Sequence, residues 1–137
     1  MSVDFVDTNI LAYAFDQSSP SKQEIARQIL MGDFVISTQV LGELYVTLTR
    51  KLTTPMSVEL AAEVISKLCI HTVVPITGDL VQVATRTSIR HQLSYWDALI
   101  IETAAWAGCP TIITEDLNNG ASISGVLIKN PFTSTAH

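Results

Sequence analysis

The stretch Val3-Asp4-Phe5-Val6-Asp7-Thr8-Asn9 decides how the rest of this chain is interpreted. Residues 3–6 are typical of a short buried strand, and residues 10–15 follow with apolar side chains at helical spacing. Asp7 is therefore predicted at a strand-to-helix junction, which in an open α/β sheet faces the crevice where ligands bind. The alternative is that Asp7 only caps the helix, with one of the next two residues sharing that task.

Strand-like and helical segments alternate along the remainder of the chain. Further strands are predicted at 34–36, 71–76, 111–114 and 126–128, with helices such as 57–69 between them and a loop at 118–120. This alternation predicts the α/β class, as one three-layer α/β/α domain over residues 1–137 with a central, mainly parallel sheet. Because right-handed crossovers bring the carboxyl ends of parallel strands to one edge, we expect Asp7 and Glu115-Asp116 to share that edge.

Composition limits the classes of function. Thirteen acidic against eight basic residues give a net charge of −5, which argues against a protein that coats nucleic acid by electrostatics alone. An enzyme that meets a phosphate backbone through a bound cation is not excluded. No uncharged run approaches the roughly 18 residues of a membrane span, so no membrane association is expected. The absence of a signal peptide and the unpaired cysteines Cys69 and Cys109 favour the cytoplasm.

Two acidic residues stand isolated within apolar helical segments. Glu43 is the only charged residue in 35–49, and Asp97 is the only acid in 91–101. An unpaired carboxylate costs several kcal/mol to bury, so each needs either solvent or a partner. Glu43 could reach solvent at the helix flank, and Asp97 could be a helix cap or a first-turn acid. The other interpretation is that both carboxylates point into a functional site.

Together, four carboxylates are predicted around one opening: Asp7, Glu43, Asp97 and Asp116. Carboxylates in one pocket repel each other strongly unless a cation sits among them. An all-oxygen ligand set favours a hard divalent ion, Mg²⁺ or else Mn²⁺, over a softer metal. Such an ion positions a phosphodiester and lowers the pKa of a bound water.

The order of these motifs resembles that of a known family. Asp7-Thr8-Asn9 follows the first strand, Glu43 lies in an apolar helix, Asp97 stands in Trp96-Asp97-Ala98-Leu99-Ile100, and Thr114-Glu115-Asp116 follows a later strand. The chain from about residue 3 to residue 131 is in this respect similar to the PIN-domain ribonucleases. In size and layout it resembles the VapC-type toxins of bacterial and archaeal toxin–antitoxin pairs.

The resemblance implies a Mg²⁺-dependent endoribonuclease that hydrolyses RNA. Asp7, Asp97 and Asp116 would hold the cation or its waters, and Glu43 would orient or deprotonate the attacking water. The hydrogen-bonding groups around these acids would come from Thr8, Asn9 and Thr114. The family also implies a homodimer and, for its toxins, a small antitoxin protein whose tail covers the active site.

Several assignments stay open at this stage. Either Glu115 or Asp116 could face the metal, and Asp116 is favoured because Thr114 stands two residues before it, as the family's hydroxyl residue does. Glu102 is either an extra acid of the site or an exposed helix charge. Arg86 and Arg90 share one helix face at i,i+4 spacing, where they could contact RNA or simply face solvent. Whether one or two metal ions bind is likewise undecided.

Two other functions compete with this interpretation. An aspartate-dependent phosphatase would use Asp7 as the nucleophile, but its usual form has a second Asp two residues later, where this chain has Asn9. An inactive PIN-like module that only binds other proteins would be expected to lack at least one of the four acids, and none is missing.

Overall fold

The computed structural model describes residues 2–133, so Met1 and residues 134–137 of the predicted domain lie outside the described part. Six strands form one sheet: β1 Phe5–Val6, β2 Val35–Ser37, β3 Thr72–Val74, β4 Thr111–Ile113, β5 Ser122–Ile123 and β6 Val126–Lys129. The helices are α1 Thr8–Tyr13, α2 Pro20–Leu30, α3 Thr38–Val46, α4 Val58–Leu68, α5 Gly78–His91 and α6 Tyr95–Trp106, with a π-helical turn at Thr47–Lys51. None of these helices is long and apolar enough to cross a membrane.

The strand order β3-β2-β1-β4-β6-β5 places the first strand in the middle of the sheet. The strands are parallel except for β5, which pairs antiparallel with β6. From β1 the chain builds outward through β2 and β3, then returns to β4 on the other side of β1. The carboxyl ends of β1 and β4 therefore flank a topological switch point, where open α/β sheets form a crevice. This is the predicted α/β/α architecture with a mainly parallel sheet.

The central strands are held by side chains buried on both faces. Phe5, Ile36 and Ile112 are fully buried, as the inner strands of a parallel sheet are expected to be. Burial of each such side chain contributes about 1.5–3 kcal/mol relative to exposure. Since Asp7 and Thr114 directly follow two of these strands, their positions are fixed by the core beneath them.

Hydroxyl side chains fix where the helices of the site begin. Ser37 Oγ accepts a hydrogen bond from Val40 N at the start of α3, at 3.2 Å. Ser94 Oγ likewise accepts from Asp97 N at the start of α6, at 3.1 Å. Each cap satisfies a backbone N–H group that the helix itself leaves free, which typically contributes about 1 kcal/mol. The caps thereby set the register of the helices that carry Glu43 and Asp97.

Some element boundaries differ from those that the sequence predicts. The strand predicted at 71–76 is only Thr72–Val74, because Pro75 has no N–H group with which to continue the ladder. The hairpin formed by β5 and β6 was not predicted, since β5 has only two residues. Its turn places Ser124 and Gly125 at φ 53° and 78°, the left-handed geometry of a tight two-residue hairpin.

Candidate active site

A cavity of about 610 Å³ opens where β1 and β4 end. All four predicted acids line it, although they come from four separate segments of the chain. The other lining residues are Thr8, Asn9, Ala12, Tyr13, Asp16, Gln39, Gly42, Val46, Thr47, Lys51, Leu52, Trp96 and Ile100. The lining therefore combines acidic side chains with apolar and neutral polar ones and one lysine.

Asp7 both caps a helix and faces the cavity. Its backbone N donates to Ile113 O at 3.0 Å, which extends the pairing of β1 with β4 by one residue. Its Oδ1 accepts from Thr8 N at 2.7 Å, and its Oδ2 accepts from Thr114 Oγ1 at 2.8 Å. The capping role considered for Asp7 is thus present. It occupies one carboxylate oxygen and does not remove the side chain from the cavity.

The carboxylate of Asp7 is in an unfavourable electrostatic environment. Burial raises its pKa from 3.8 to about 6, against the hydrogen bonds from Thr114 and Thr8, which lower it. The negative charges of Glu43 and Asp116 raise the pKa further. A buried carboxylate with like charges beside it in a cavity is a candidate functional group, because a bound cation would relieve both penalties.

Glu43 lies on α3 and lines the cavity with an exposed side chain. Thr8 Oγ1 donates to Glu43 Oε1 at 2.9 Å, and Gln39 Nε2 donates to Glu43 Oε2 at 3.4 Å. Glu43 does reach solvent, as the alternative interpretation held, but it does so within the cavity. Thr8 links the first motif to the second, because its backbone N bonds Asp7 while its hydroxyl bonds Glu43.

Asp97 lies in the first turn of α6, with its half-buried side chain lining the cavity. The N-cap of this helix is Ser94, so the interpretation of Asp97 as the cap is wrong. Asp97 remains a first-turn acid, a position where the helix dipole favours negative charge. The free N–H groups of the helix start thereby offset part of the repulsion between Asp97 and the other acids.

The neighbouring acids Glu115 and Asp116 have different environments. Asp116 lines the cavity, and its backbone N donates to Thr114 Oγ1 at 3.2 Å. Glu115 does not line it: its carboxylate forms an ion pair with Lys22 and accepts from Tyr13 Oη at 2.7 Å. Burial alone would raise the pKa of Glu115, but the hydrogen bonds from Lys22 and Tyr13 lower it below its usual value. Of the two acids, Asp116 is the one that lines the cavity, so its assignment as a metal ligand stays the favoured prediction.

Three other predicted residues do not reach the cavity. Glu102 is buried on α6, where its Oε2 accepts from Thr87 Oγ1 at 2.7 Å and from Ser124 Oγ at 2.6 Å. Glu102 is therefore neither a lining acid nor an exposed helix charge. Arg86 and Arg90 are exposed on α5 and are not among the residues lining the cavity. Contact between these arginines and RNA stays a prediction for the surface outside the cavity.

Several lining residues were not anticipated from the sequence. Gln39 precedes Glu43 by one helical turn, so its place on the same face of α3 could have been predicted. Trp96 could have been suspected from its position next to Asp97. Lys51 is the last residue of a π-helical turn that no sequence pattern predicts. Asp16 also lines the cavity, and its Oδ1 accepts from Ser18 N at 3.0 Å.

The donor set suits a hard cation that keeps part of its water. Within residues 2–133, no group of three or more His, Cys, Asp and Glu side chains is assembled to hold a metal ion directly. Lys51 is the single basic side chain among the lining residues. Mg²⁺ usually binds proteins through one or two carboxylates and several waters, so it does not need a closed protein cage. The buried Asp7 among other acids fits that mode of binding.

Comparisons with known proteins agree with the observed α/β/α fold. A crystal structure of Mycobacterium tuberculosis VapC20, described as a sarcin–ricin loop cleaving toxin, superposes with a TM-score of 0.67 at 24% identity, covering 82% of this chain and 88% of that one. A toxin–antitoxin complex from Klebsiella pneumoniae superposes with a TM-score of 0.70 at 23% identity, covering 94% and 98%. These similarities concern the fold. A sequence comparison with curated proteins gives no match.

The family model of the PIN domain matches residues 5–118, a segment that begins in β1 and ends two residues after Asp116. The match thus contains all four acids and the strands and helices that carry them. The chain belongs to the PIN domain family.

Proposed function

We propose that this protein is a Mg²⁺-dependent endoribonuclease and the toxin component of a type II toxin–antitoxin system, acting as one domain over residues 1–137. The observation that carries the proposal is the convergence of four carboxylates from separate segments on one cavity at the switch point of the sheet. Membership of the PIN family and the likeness to VapC20 support nuclease activity and an RNA substrate.

Each acid has a role that its position suggests. Asp7, Asp97 and Asp116 would hold Mg²⁺, or Mn²⁺ in its place, directly or through its waters. The bound ion would supply a more acidic water and would neutralise charge on the phosphate. In the hydrolysis, the water oxygen forms a new bond to phosphorus while the bond between phosphorus and the leaving oxygen breaks.

Glu43 is the proposed base. The Thr8 hydroxyl holds its Oε1 at 2.9 Å, which leaves the other oxygen, in longer contact with Gln39, free to accept a proton from the attacking water. Thr114 would position two of the metal-binding acids, because its hydroxyl donates to Asp7 Oδ2 and accepts from the backbone N–H of Asp116. Asn9 contacts the segment between Thr114 and Asp116, because its Oδ1 accepts from Glu115 N at 3.4 Å.

The proposed partners are an RNA, an antitoxin protein and a second copy of this chain, within the cytoplasm. Support for the antitoxin comes from the Klebsiella pneumoniae structure, which is a toxin–antitoxin complex of the same fold. Neither alternative function gains a supporting observation. An inactive module would be expected to lack at least one of the four acids, but all four line the cavity. Asn9 stands at the position where an aspartate-dependent phosphatase has its second Asp.

The test compares two adjacent acids in one assay. Purified protein and the variants Asp116→Asn and Glu115→Gln are incubated with a labelled structured RNA and with an unstructured one, with Mg²⁺ and then with excess chelator. We expect wild-type cleavage only with Mg²⁺, a more than about 100-fold loss in Asp116→Asn, and a far smaller loss in Glu115→Gln. Cleavage that survives the chelator, or an equal loss in both variants, would overturn the assignment.

A further inference from the structure

The cavity wall includes an exposed aromatic residue next to one of the acids. Trp96 lines the cavity and directly precedes Asp97, yet its side chain is 60% exposed. Its ring contact is with Tyr95, edge to face, with centroids 4.9 Å apart. Leaving an indole in water forgoes the free energy of its burial, so an exposed indole inside a cavity is suited to binding a flat ligand.

The cavity wall also includes one cation. Lys51 follows α3 through the π-helical turn and is the single basic residue among the lining side chains, five of which are acids. No ion pair of Lys51 occurs among residues 2–133, where the pair between Lys22 and Glu115 is the one formed. The Lys51 ammonium group is therefore available to an anion that enters the cavity, in a place where an anion would otherwise be repelled.

Two buried polar atoms in the cavity wall also lack partners. Asn9 Nδ2 and Gln39 Oε1 are shielded from solvent, and neither has a hydrogen-bond partner within the described residues. Buried polar atoms in native proteins are nearly always satisfied, so unpaired atoms in a cavity wall call for a ligand or water that supplies the bonds. One atom is a donor and the other an acceptor, which suits a ligand whose edge carries both.

We propose that Trp96 and Lys51 form a nucleotide subsite beside the four acids, in which the indole stacks on one unpaired base and the Lys51 ammonium group contacts the adjacent phosphate. The proposal rests on the proposed ribonuclease function and adds the form of its substrate, a strand that is single at this position. Stacking on an aromatic side chain tolerates any base, so the subsite selects unpaired structure more than sequence.

Binding to this subsite can be measured apart from cleavage, because the chain has only two tryptophans. Trp106, at the other end of α6, is 68% exposed but does not line the cavity. The variant Trp106→Phe thus reports on Trp96 alone, and Trp96→Phe reports on Trp106 alone. A ten-nucleotide single-stranded RNA, titrated without divalent metal, should quench the fluorescence of the first variant and leave that of the second unchanged.

Alanine variants extend the test to affinity. Trp96→Ala should raise the Kd for this RNA by roughly 5- to 100-fold, as expected for the loss of one stacked base, and Trp106→Ala should leave it unchanged. Lys51→Met should weaken binding and reduce the slope of log Kd against log salt by about 1. An oligonucleotide of the same length without bases should bind wild type and Trp96→Ala equally.

The outcomes separate this proposal from the ribonuclease function. Equal quenching of the two single-tryptophan variants, or equal Kd values for Trp96→Ala and Trp106→Ala, would overturn the subsite even if Mg²⁺-dependent cleavage is observed. Quenching confined to Trp96, with no cleavage under any metal, would support a nucleotide subsite and contradict the ribonuclease function.

Discussion

Asp7 and Glu102 are the two buried carboxylates of residues 2–133, and each is 8% exposed. Each also accepts a hydrogen bond from a threonine hydroxyl, Asp7 from Thr114 at 2.8 Å and Glu102 from Thr87 at 2.7 Å. They differ in their other neighbours. Asp7 lines a cavity with other acids, whereas Oε2 of Glu102 accepts a second hydrogen bond, from the Ser124 hydroxyl.

The comparison shows that burial does not by itself identify a reactive carboxylate. At Glu102 the hydroxyl groups of Thr87 and Ser124 both donate to Oε2, and they tie three elements of the fold together. The charges of Glu43 and Asp116 add to the cost of ionising Asp7, and a cation would remove that cost. The surroundings of Glu102 indicate a structural role, whereas those of Asp7 are compatible with its proposed role in binding the metal.

The largest expected difference is in RNA cleavage. Asp7→Asn should reduce Mg²⁺-dependent cleavage by more than about 100-fold, because a metal ligand is lost, while thermal stability is retained or raised. Glu102→Gln should keep cleavage per folded molecule within a few-fold of wild type and lower the free energy of unfolding by about 1–3 kcal/mol. Cleavage rates and thermal denaturation of both variants check this. If Asp7→Asn unfolds while its cleavage per folded molecule persists, Asp7 is only a helix cap.

The pH dependence of stability should report the raised pKa of Asp7. Because the pKa of Asp7 is raised to about 6 in the folded protein, the folded state binds its proton more tightly than the unfolded state. The stability of the metal-free protein should therefore fall as pH rises from about 4 to 6, by up to about 3 kcal/mol from this group.

Urea denaturation in metal-free buffers measures this effect, with Asp7→Asn as the reference. The free energy of unfolding of the variant relative to wild type should increase between pH 4 and pH 6 and then remain level. A difference that does not change with pH would show that Asp7 has no raised pKa. Mg²⁺ should reduce the difference at neutral pH by stabilising the ionised form in wild type.

Smaller effects are expected from replacing Thr114 and Thr87, the threonines that donate to the two buried carboxylates. Thr114→Val removes the hydroxyl that orients Asp7, and it should lower cleavage roughly 10- to 100-fold and raise the Mg²⁺ concentration needed for half-maximal rate. Thr87→Val removes one donor to Glu102 and should cost about 1 kcal/mol of stability with cleavage retained. Steady-state rates over a Mg²⁺ series measure both variants. Equal Mg²⁺ requirements would contradict the positioning role of Thr114.

The sequence predicted the scaffold of the site well because few signals were needed. Short apolar strands followed directly by Asp7 and by Thr114 fix those residues to one sheet edge once the strands are parallel. Glu43 and Asp97 could be recognised because each stands isolated in an apolar helix. Each of these signals is local in the sequence. The parallel topology then brings the acidic residues to one edge of the sheet.

The surroundings of each side chain were harder to predict from the sequence. The partners of Glu102, Thr87 and Ser124, come from a different helix and from a hairpin turn that was not predicted. Helical geometry offers a partial signal, because five residues correspond to a rotation of about 140°, which turns Glu102 away from Asp97. The ion pair that diverts Glu115 to Lys22 joins segments far apart in the chain, so no local pattern contains it.

The most direct test of the central claim is a crystal soaked in Mn²⁺ and examined by anomalous diffraction. The account predicts a peak inside the cavity, about 2.1 Å from a carboxylate oxygen of Asp7, with Asp97 and Asp116 holding the ion directly or through its waters. The same soak should give no peak at Glu102. A cavity without Mn²⁺ at saturating concentration, or an ion bound away from Asp7, would contradict the account.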